Sequence, residues 1–577
     1  MRHLFVLFLV FETTLVFPQN YIKRCNFGFE TNRIVVPDNW QLILDSYQLK
    51  YDTIDKVQGK RSIAFSRTYL KSDFNLCLYQ KILLPKSFSE ISVSVFSKTI
   101  NHQYSWLKIA GFDRYGKIIV TDSLSIISNN SWHEFTARIA HKGIYLLSLE
   151  LRAKEQFNTK KKEVKLWLDS ITVICDGRNL LSLNDPLIAF SAKDLAAINN
   201  NIPLDEDMIL PGNVLKKMAK NRIIGFGETA HGSLETNKCI YNNIRQLISD
   251  YNCRLVLLEM PIDLVAQYNL YIHGFEIDST YCKFYPNQSK IDTTYRKLSY
   301  LSNELERFVN WLKEFNAIHD DKVNIMGIDE HSDPLSSNMA PPDLNRYISS
   351  MKLQSNIVDT LVFLINSGNY RIVPYRYAER NEKQLTTLMS RFNYMVLLQA
   401  LKSRTDSALY YPSYKSYEWQ HVHRDHIMWQ NAKQVLENFS DGKLPVVICA
   451  HYGHLDKISS IHFNEVVTLG QYLSNAYGNN YYHVGILLGQ GKAGAMGGKR
   501  KLVYQELQIP VGVSIEYLAS RTNQECFYKS GNISSKIPMM IRRSGNESTN
   551  DQFIPSYFPG SMDGFIYIRK SSPSFKL

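Results

Sequence analysis

The chain has 577 residues, a length that exceeds one compact core and predicts several domains. With 44% apolar and 21% charged residues, its composition is that of a folded globular protein and excludes a largely disordered one. The formal net charge of +12 comes from dispersed Lys and Arg residues rather than from a basic stripe. We therefore expect no nucleic-acid partner.

The first 19 residues have the organisation of a secretory signal. Arg2 precedes a short apolar run at 4–10, which resumes after Glu12 and continues through Phe17. The run is too short to cross a bilayer as a stable helix. We predict a cleaved signal over residues 1–19 and an exported protein, periplasmic or extracellular, without a stable membrane span.

Residues 21–178 have the pattern of an all-β domain. Apolar and polar residues alternate over many short runs, at 61–65, 77–84, 91–96, 117–121, 143–151 and 164–174. Such alternation predicts a β-sandwich. The opening at Asn26 and the closing stretch from Trp167 resemble jelly-roll modules of the carbohydrate-binding type. Glycan binding and a purely structural role are both open for this domain.

The pattern changes after a predicted linker at 179–194, which contains Asn184-Asp-Pro186. From 195 to 577, short apolar runs alternate with helix-length amphipathic stretches, which predicts an α/β domain with a mainly parallel sheet. The predicted strands lie at 222–226, 254–258, 323–328, 444–450 and 482–488, and a run at 564–569 predicts an edge strand. Large helical insertions are predicted at 301–318, 342–368 and 377–438.

Titratable side chains follow four of these predicted strands. In chain order they are Glu228 with His231, Glu259, Asp329, and His451 with His454. The carboxyl ends of parallel strands share one edge of a sheet, where open α/β sheets bind their ligands. We therefore predict an active site at this edge.

These residue types suit the hydrolysis of an ester by an activated water molecule. An imidazole accepts a proton from water near neutral pH, a carboxylate beside it orients the ring, and further imidazoles donate to a developing oxyanion. A covalent serine mechanism fits less well. Ser233 is the one serine of the first motif, and the chain has no Gly-x-Ser-x-Gly sequence.

A metal-dependent hydrolase is the alternative mechanism for the same residues. His231, Glu259, His451 and His454 offer the nitrogen and oxygen donors that zinc prefers. The chain has no His-Glu-x-x-His motif, and we expect a site without a cofactor. We expect the separate histidine cluster at 421–426 to lie on a helix, either on the protein surface or in the core.

Residues 195–577 resemble the erythromycin esterase family, whose motifs occur here in the family's order. The matching stretches are Gly225-Phe-Gly-Glu228-Thr-Ala-His231-Gly-Ser-Leu-Glu235, Leu258-Glu259, Gly327-Ile-Asp329, Arg424-Asp425 with Met428 and Asn431, Ala450-His451 with His454, Leu469-Gly470 with Leu473, and Tyr477-Gly478. The resemblance implies an α/β hydrolase that opens a macrolide lactone. It makes His231 the general base that activates water.

The resemblance also implies roles for the remaining motif residues. Glu228 and Glu259 position the base or the water, and His451 and His454 contact the substrate or the tetrahedral intermediate. The predicted substrate-binding residues are Ser233, Glu235, Asp329, Arg424 and Asp425.

One position departs from the family's pattern. Nine residues after His231, where a basic side chain is common in the family, this chain has Ile240. Because of this change and the fused β-sandwich, we expect a small-molecule ester, a lactone or an acylated glycan, of which a macrolide is one candidate. The alternative function is glycan binding or polysaccharide processing with little or no esterase activity.

Overall fold

The structure is a computed structural model. It describes residues 22–31, 37, 40–44, 48–67, 74–102, 104–128, 130–155, 164–183, 192–276, 302–329, 342–367, 372–410, 417–439, 444–458, 467–496, 502–522, 524–533, 538–544 and 552–574. The predicted signal at 1–19 and residues 184–191 of the predicted linker lie outside these ranges.

The first part of the chain forms an antiparallel sheet that encloses its own apolar core. Its strands are β1 (Gln41–Leu44), β2 (Gln48–Asp52), β3 (Ser62–Arg67), β4 (Phe74–Ile100), β5 (Tyr104–Phe112), β6 (Ile118–Ser125), β7 (His133–Glu155), β8 (Val164–Cys175) and β9 (Arg178–Asn179). The order is β2-β3-β8-β4-β7-β5-β6, with β1 beside β4 and β9 beside β8. This sandwich-like sheet confirms the predicted all-β fold.

The predicted runs 77–84 and 91–96 belong to one long strand, β4. Its register against β7 shifts between Leu83 and Glu90, so the strand bends there instead of ending. The first half of β4 pairs with β1 and the second half with β8. The bend therefore connects two runs that the alternation alone predicts as separate strands.

The second part of the chain forms a mixed sheet. Its strands are β10 (Ile202–Pro203), β11 (Ile223–Glu228), β12 (Leu255–Pro261), β13 (Asn324–Asp329), β14 (Val446–His451), β15 (Tyr481–Met496), β16 (Leu502–Leu507), β17 (Cys526–Lys529) and β20 (Gly564–Ser571). The order is β10-β17-β20-β15-β11-β14-β12-β13, and β16 pairs with β15. A separate hairpin consists of β18 (Met539–Arg542) and β19 (Phe553–Ser556).

The central strands of this sheet are parallel and buried on both faces, as their apolar sequences predict. Ile223 packs into the core on one face, and its neighbour Ile224 packs into the core on the other. The predicted edge position of the last strand is wrong. β20 lies between β15 and β17, because β17 and β10 extend the sheet beyond it.

Helices surround the mixed sheet, which confirms the predicted α/β class with helical insertions. They are α1 (Ala192–Asn199), α2 (Gly212–Met218), α3 (Leu234–Tyr251), α4 (Ile262–Ile272), α5 (Asn303–Ile318), α6 (Pro342–Ser350), α7 (Asn356–Asn366), α8 (Ile372–Arg380), α9 (Glu382–Leu388), α10 (Arg391–Tyr410), α11 (Tyr417–Phe439), α12 (Tyr452–Leu455), α13 (Leu469–Tyr477) and α14 (Ile515–Ala519). Within the described ranges, no helix is long and apolar enough to cross a membrane.

Apolar contacts join the β-sandwich to the α/β domain. Leu83 of β4 packs with Val513, Met540 and Phe553 in one buried cluster. A second cluster sets Tyr557 against residues of β5 and β7. The first cluster includes residues of the β18–β19 hairpin, and the second includes Tyr557, the residue after it. The sandwich therefore packs directly against this hairpin.

Leu83→Ala tests this interface. The side chain is 1% exposed, so its truncation should lower the free energy of unfolding by about 2–5 kcal/mol through lost burial and a residual cavity. Urea denaturation measures the change. Ile54→Ala, at a residue that is 92% exposed, is the matched control and should shift stability by less than about 0.5 kcal/mol. Equal stability of the two variants would contradict the packing described.

Candidate active site

The carboxyl edge of the parallel strands gathers the predicted titratable residues. Glu228, Asp329 and His451 are the last residues of β11, β13 and β14, and Glu259 lies near the end of β12. The register of β11 against β14 sets Glu228 directly beside His451. The sheet therefore brings together residues that lie far apart in the sequence.

The turn after β11 is held in place on several sides. The Thr229 amide and hydroxyl donate to Ile486 O, and the His231 amide donates to Ser544 O at 3.1 Å. Gly232 has φ +72°, and a Cβ there would lie 2.8 Å from the backbone of Gly494, so only glycine fits. These contacts hold His231 in one position relative to the sheet.

His231 is paired with the carboxylate of Glu228. Its Nδ1 lies 2.6 Å from Glu228 Oε1, and both side chains are largely buried. Burial acts to lower the pKa of His231, but the charge and hydrogen bond of Glu228, together with the charge of Glu259, outweigh it and raise that pKa above the ordinary value. With Nδ1 donating to Glu228, the lone pair of the neutral ring is on Nε2.

His451 is held as a neutral ring with one unused donor. Its Nδ1 accepts from the Gly453 amide at 3.3 Å, which leaves the ring proton on Nε2. This Nε2 is buried and has no hydrogen-bond partner among the described residues. Burial lowers the pKa of His451 well below its usual range, and the charge of His231 lowers it further. The ring centroids of His451 and His231 are 4.9 Å apart.

Glu259 links this pair to a buried arginine. One carboxylate oxygen accepts from the His451 amide at 2.6 Å, and the other accepts from Arg424 Nη2 at 2.7 Å. Burial acts to raise the pKa of Glu259, but the charges of His454 and Arg424 outweigh it and hold that pKa well below the usual range. Glu259 is therefore ionised when it holds the His451 backbone.

Arg424 also binds Asp329 with two hydrogen bonds. Its Nε donates to Oδ1 at 3.1 Å and its Nη2 to Oδ2 at 2.7 Å, which is the bidentate geometry that a guanidinium favours. The side chain of Asp329 is 0% exposed. Asp329 thus holds Arg424 in place. Its carboxylate is buried against other protein groups rather than exposed to a pocket.

His454 lies between two carboxylates. Its Nδ1 is 3.0 Å from both oxygens of Asp425, and its Nε2 is 3.4 Å from Glu259. Burial lowers the pKa of His454, but these charges raise it to about 10. Arg424 Nη1, 3.2 Å from Nε2, would favour the neutral ring, yet two anions outweigh one cation. His454 is therefore a buried cation that pairs with Asp425.

Two predicted substrate-binding residues are used by the fold instead. Ser233 is fully buried, caps α3 by accepting from the Thr236 amide, and accepts from the Ser571 hydroxyl. Glu235 accepts from the Ser572 amide at 2.6 Å. Neither residue contacts the cluster of histidines. Ile240 is 5% exposed, and its side chain packs in the apolar core of the α/β domain.

Two of the donors considered for a metal, Glu259 and His454, lie against cationic or N–H groups. Glu259 binds Arg424 and the His451 amide, and His454 lies beside Arg424. Within the described part of the chain, no three His, Cys, Asp or Glu residues are arranged to hold a metal ion. In the cluster 421–426, only the side chain of His426 is described, and it contacts Tyr472 and Gln430 on the helical surface.

The sequence gives no signal for one partner of the site, the segment after β18. Ser544 forms a parallel bridge with Ala230, and its amide donates to Thr229 O at 2.8 Å. The segment thus lies alongside the turn that carries His231. The hairpin is short, and its sequence matches none of the motifs that predict the site. Its place beside the turn is therefore visible only in the structure.

Part of this domain matches a known protein family. Residues 367–571 match the family model described as Erythromycin esterase. This segment is similar to erythromycin esterases. It contains Arg424, Asp425, His451 and His454, while His231 precedes it in the chain. The resemblance predicted for 195–577 is confirmed over the matched residues. No curated protein matches the sequence.

Solved structures show similarity to parts of the chain. A protein from Bacillus cereus is 14% identical, with a TM-score of 0.50, over 66% of this chain and 98% of its own; it shares the fold. A mutant of erythromycin esterase EreC in its open conformation is 14% identical over 65% and 98%, with a TM-score of 0.43. The carbohydrate-binding module TmCBM61, solved with β-1,4-galactotriose, is 16% identical over 27% and 99%, with a TM-score of 0.20.

Arg424→Ala tests the buried charge network. Its removal leaves the buried carboxylate of Asp329 without its cation and takes one of two cations from Glu259, so we expect a loss of about 3–5 kcal/mol in the free energy of unfolding. Arg376→Ala is the control, because Arg376 pairs with Glu379 on an exposed helix and should contribute about 0–1 kcal/mol. Urea denaturation at neutral pH compares them. Similar losses in the two variants would contradict the structural role of Arg424.

Proposed function

We propose that the protein hydrolyses a carboxylic ester or a lactone with a water molecule activated by His231. One observation carries the proposal: two adjacent buried imidazoles are held in different states. Glu228 orients His231 as a base, while His451 presents a neutral N–H with no partner among the described residues. The similarity to erythromycin esterases supports the same reaction type.

The first step follows from these two rings. The lone pair of His231 Nε2 takes a proton from water as the water oxygen bonds to the carbonyl carbon. The carbonyl π electrons move to the carbonyl oxygen, and His451 Nε2–H donates to the resulting oxyanion. Glu228 stabilises the imidazolium that forms.

The second step returns the proton. The oxyanion electrons reform the carbonyl, the bond from carbon to the alcohol oxygen breaks, and His231 protonates the departing alkoxide. The products are a carboxylic acid and an alcohol, and His231 is neutral again. For a lactone both groups stay in one molecule, so the ring opens.

The remaining residues act as positioning groups. Glu259 holds the His451 backbone, Arg424 holds Glu259, and Asp329 holds Arg424. Asp425 holds His454 and also accepts from the Leu469 amide. This chain of contacts fixes the donor ring of His451 relative to the base.

The proposed substrate is a small ester, a lactone or an acylated glycan, with macrolides as one candidate. We also propose that the protein is exported, because residues 1–19 have the organisation of a signal sequence. A panel of macrolides, acylated sugars and p-nitrophenyl esters covers these classes.

His231→Ala tests the base. Removing it should lower kcat/KM by about 10²–10⁴-fold or more for every ester that the wild-type chain hydrolyses, because water loses its proton acceptor. The melting temperature should stay close to the wild-type value. Activity is measured on the panel above. His141→Ala, at an exposed histidine of β7, is the control and should retain full activity.

Two outcomes would contradict this assignment. Retained hydrolysis in a folded His231→Ala protein would remove the proposed role of the ring. Loss of wild-type activity on chelation, restored by zinc or manganese, would favour the metal-dependent mechanism instead.

Glu228→Gln tests whether Glu228 raises the pKa of His231. Glu228 raises the pKa of His231, and a general base works only when it is unprotonated, so kcat/KM of the wild type should fall as pH drops through this raised pKa. Without the carboxylate charge, burial lowers the pKa of His231. The acid limb of the profile should therefore move to lower pH, while the maximal rate falls. An unmoved acid limb would show that another group sets it.

A further inference from the structure

The hairpin β18–β19 carries an arginine to the catalytic turn. Arg543 directly precedes Ser544, whose amide and carbonyl bond to Thr229 O and the His231 amide. The Arg543 amide donates to Gln552 O across the hairpin. The backbone of Arg543 is therefore tied on one side to the hairpin and on the other, through its neighbour, to the turn that carries the base.

The preceding residue directs the side chain of Arg543. Arg542 is fully buried; its Nε donates to Leu488 O at 3.1 Å and its Nη2 to Gly489 O at 2.7 Å. Its amide donates to Glu516 at 2.7 Å. Successive side chains of an extended segment point to opposite sides. Because Arg542 is anchored under the end of β15, Arg543 points away from it.

The segment that carries Arg543 is hydrogen-bonded to the turn that carries His231, and the charge of Arg543 also acts on His451. After burial and the charge of His231, Arg543 is the next largest cause that lowers the pKa of His451, ahead of the opposing effect of Glu259. Burial lowers the pKa of Lys81 on the β-sandwich to about 8, and the Arg543 charge adds to this.

The buried, unpartnered Nε2–H of His451 is a second, independent sign of a ligand at this place. A neutral N–H and a nearby cation together suit an oxygen that becomes negative during reaction. We propose that Arg543 is a catalytic residue that stabilises the oxyanion together with His451. This inference rests on the proposed ester hydrolysis.

The test compares Arg543→Ala, Arg543→Gln and Arg543→Lys with the wild type on the ester of the panel that the wild type hydrolyses fastest. We expect kcat to fall about 10²–10³-fold in the first two variants, with KM within about threefold, because the interaction forms only in the transition state. Arg543→Lys should keep an intermediate kcat. Added guanidinium ion should partly restore Arg543→Ala, and an alkyl phosphonate, which mimics the tetrahedral anion, should bind the Ala and Gln variants more weakly than the wild type.

Arg521→Ala is the matched control, at an exposed arginine of the same domain. It should keep full activity and show no response to guanidinium. If Arg543→Ala does not melt cooperatively, Arg543→Gln and Arg543→Lys carry the comparison. A kcat within about threefold of wild type in folded variants, or unchanged phosphonate binding, would overturn the inference. Those results would leave the proposed function intact if His231→Ala is inactive, whereas a wild-type chain inactive on the whole panel would end both proposals.

Discussion

The guanidinium of Arg424 joins three parts of the α/β domain at one point. It comes from α11, binds Asp329 at the end of β13, and binds Glu259 at the end of β12. Seven residues further along the same helix, Asn431 donates to Ile328 O and aligns the helix with β13. Since Glu259 also holds the His451 backbone, the position of the donor ring depends on this ion network. A buried cation between two carboxylates holds its geometry because any departure leaves charge uncompensated.

Three histidines at the sheet edge differ in charge because their neighbours differ. His454 has two carboxylates and is held as a cation, whereas His451 has a backbone donor on one nitrogen and neighbouring positive charges, and is held neutral. His231 has a single carboxylate and lies between these extremes. Environments that push equivalent groups apart in pKa also assign them different work. In the proposed mechanism, His454 balances charge, His451 donates to the oxyanion, and His231 exchanges protons with water.

The sequence predicts much of this site because the chemistry follows the strands directly. Glu228, Asp329 and His451 each end an apolar run, so the carboxyl edge of a parallel sheet collects them without knowledge of the helices. The pairing of Arg424 with Asp329 needs the helix packing, which local pattern does not contain. Ser233 and Glu235 belong to the same motif as His231, yet capping and the contact with residues 571–572 use their side chains. Likewise, β20 looks like an edge strand because nothing in its alternation reveals that β17 will pair on its far side.

The central position of β20 in the sheet affects when the site can fold during translation. The base is carried by an early turn of the domain, but that turn is secured by late segments: Ser574 donates to Gly232 O, Leu234 donates to Ser572 O, and Ser544 bridges Ala230. A ribosome delivers these partners after almost all the rest of the sheet. Pairings between such distant segments form slowly, because the chain loses the entropy of loop closure before the new contacts stabilise it. A chain still emerging from the ribosome therefore carries the residues around His231 without their folded geometry, which forms only when β20 and the residues after it take their place.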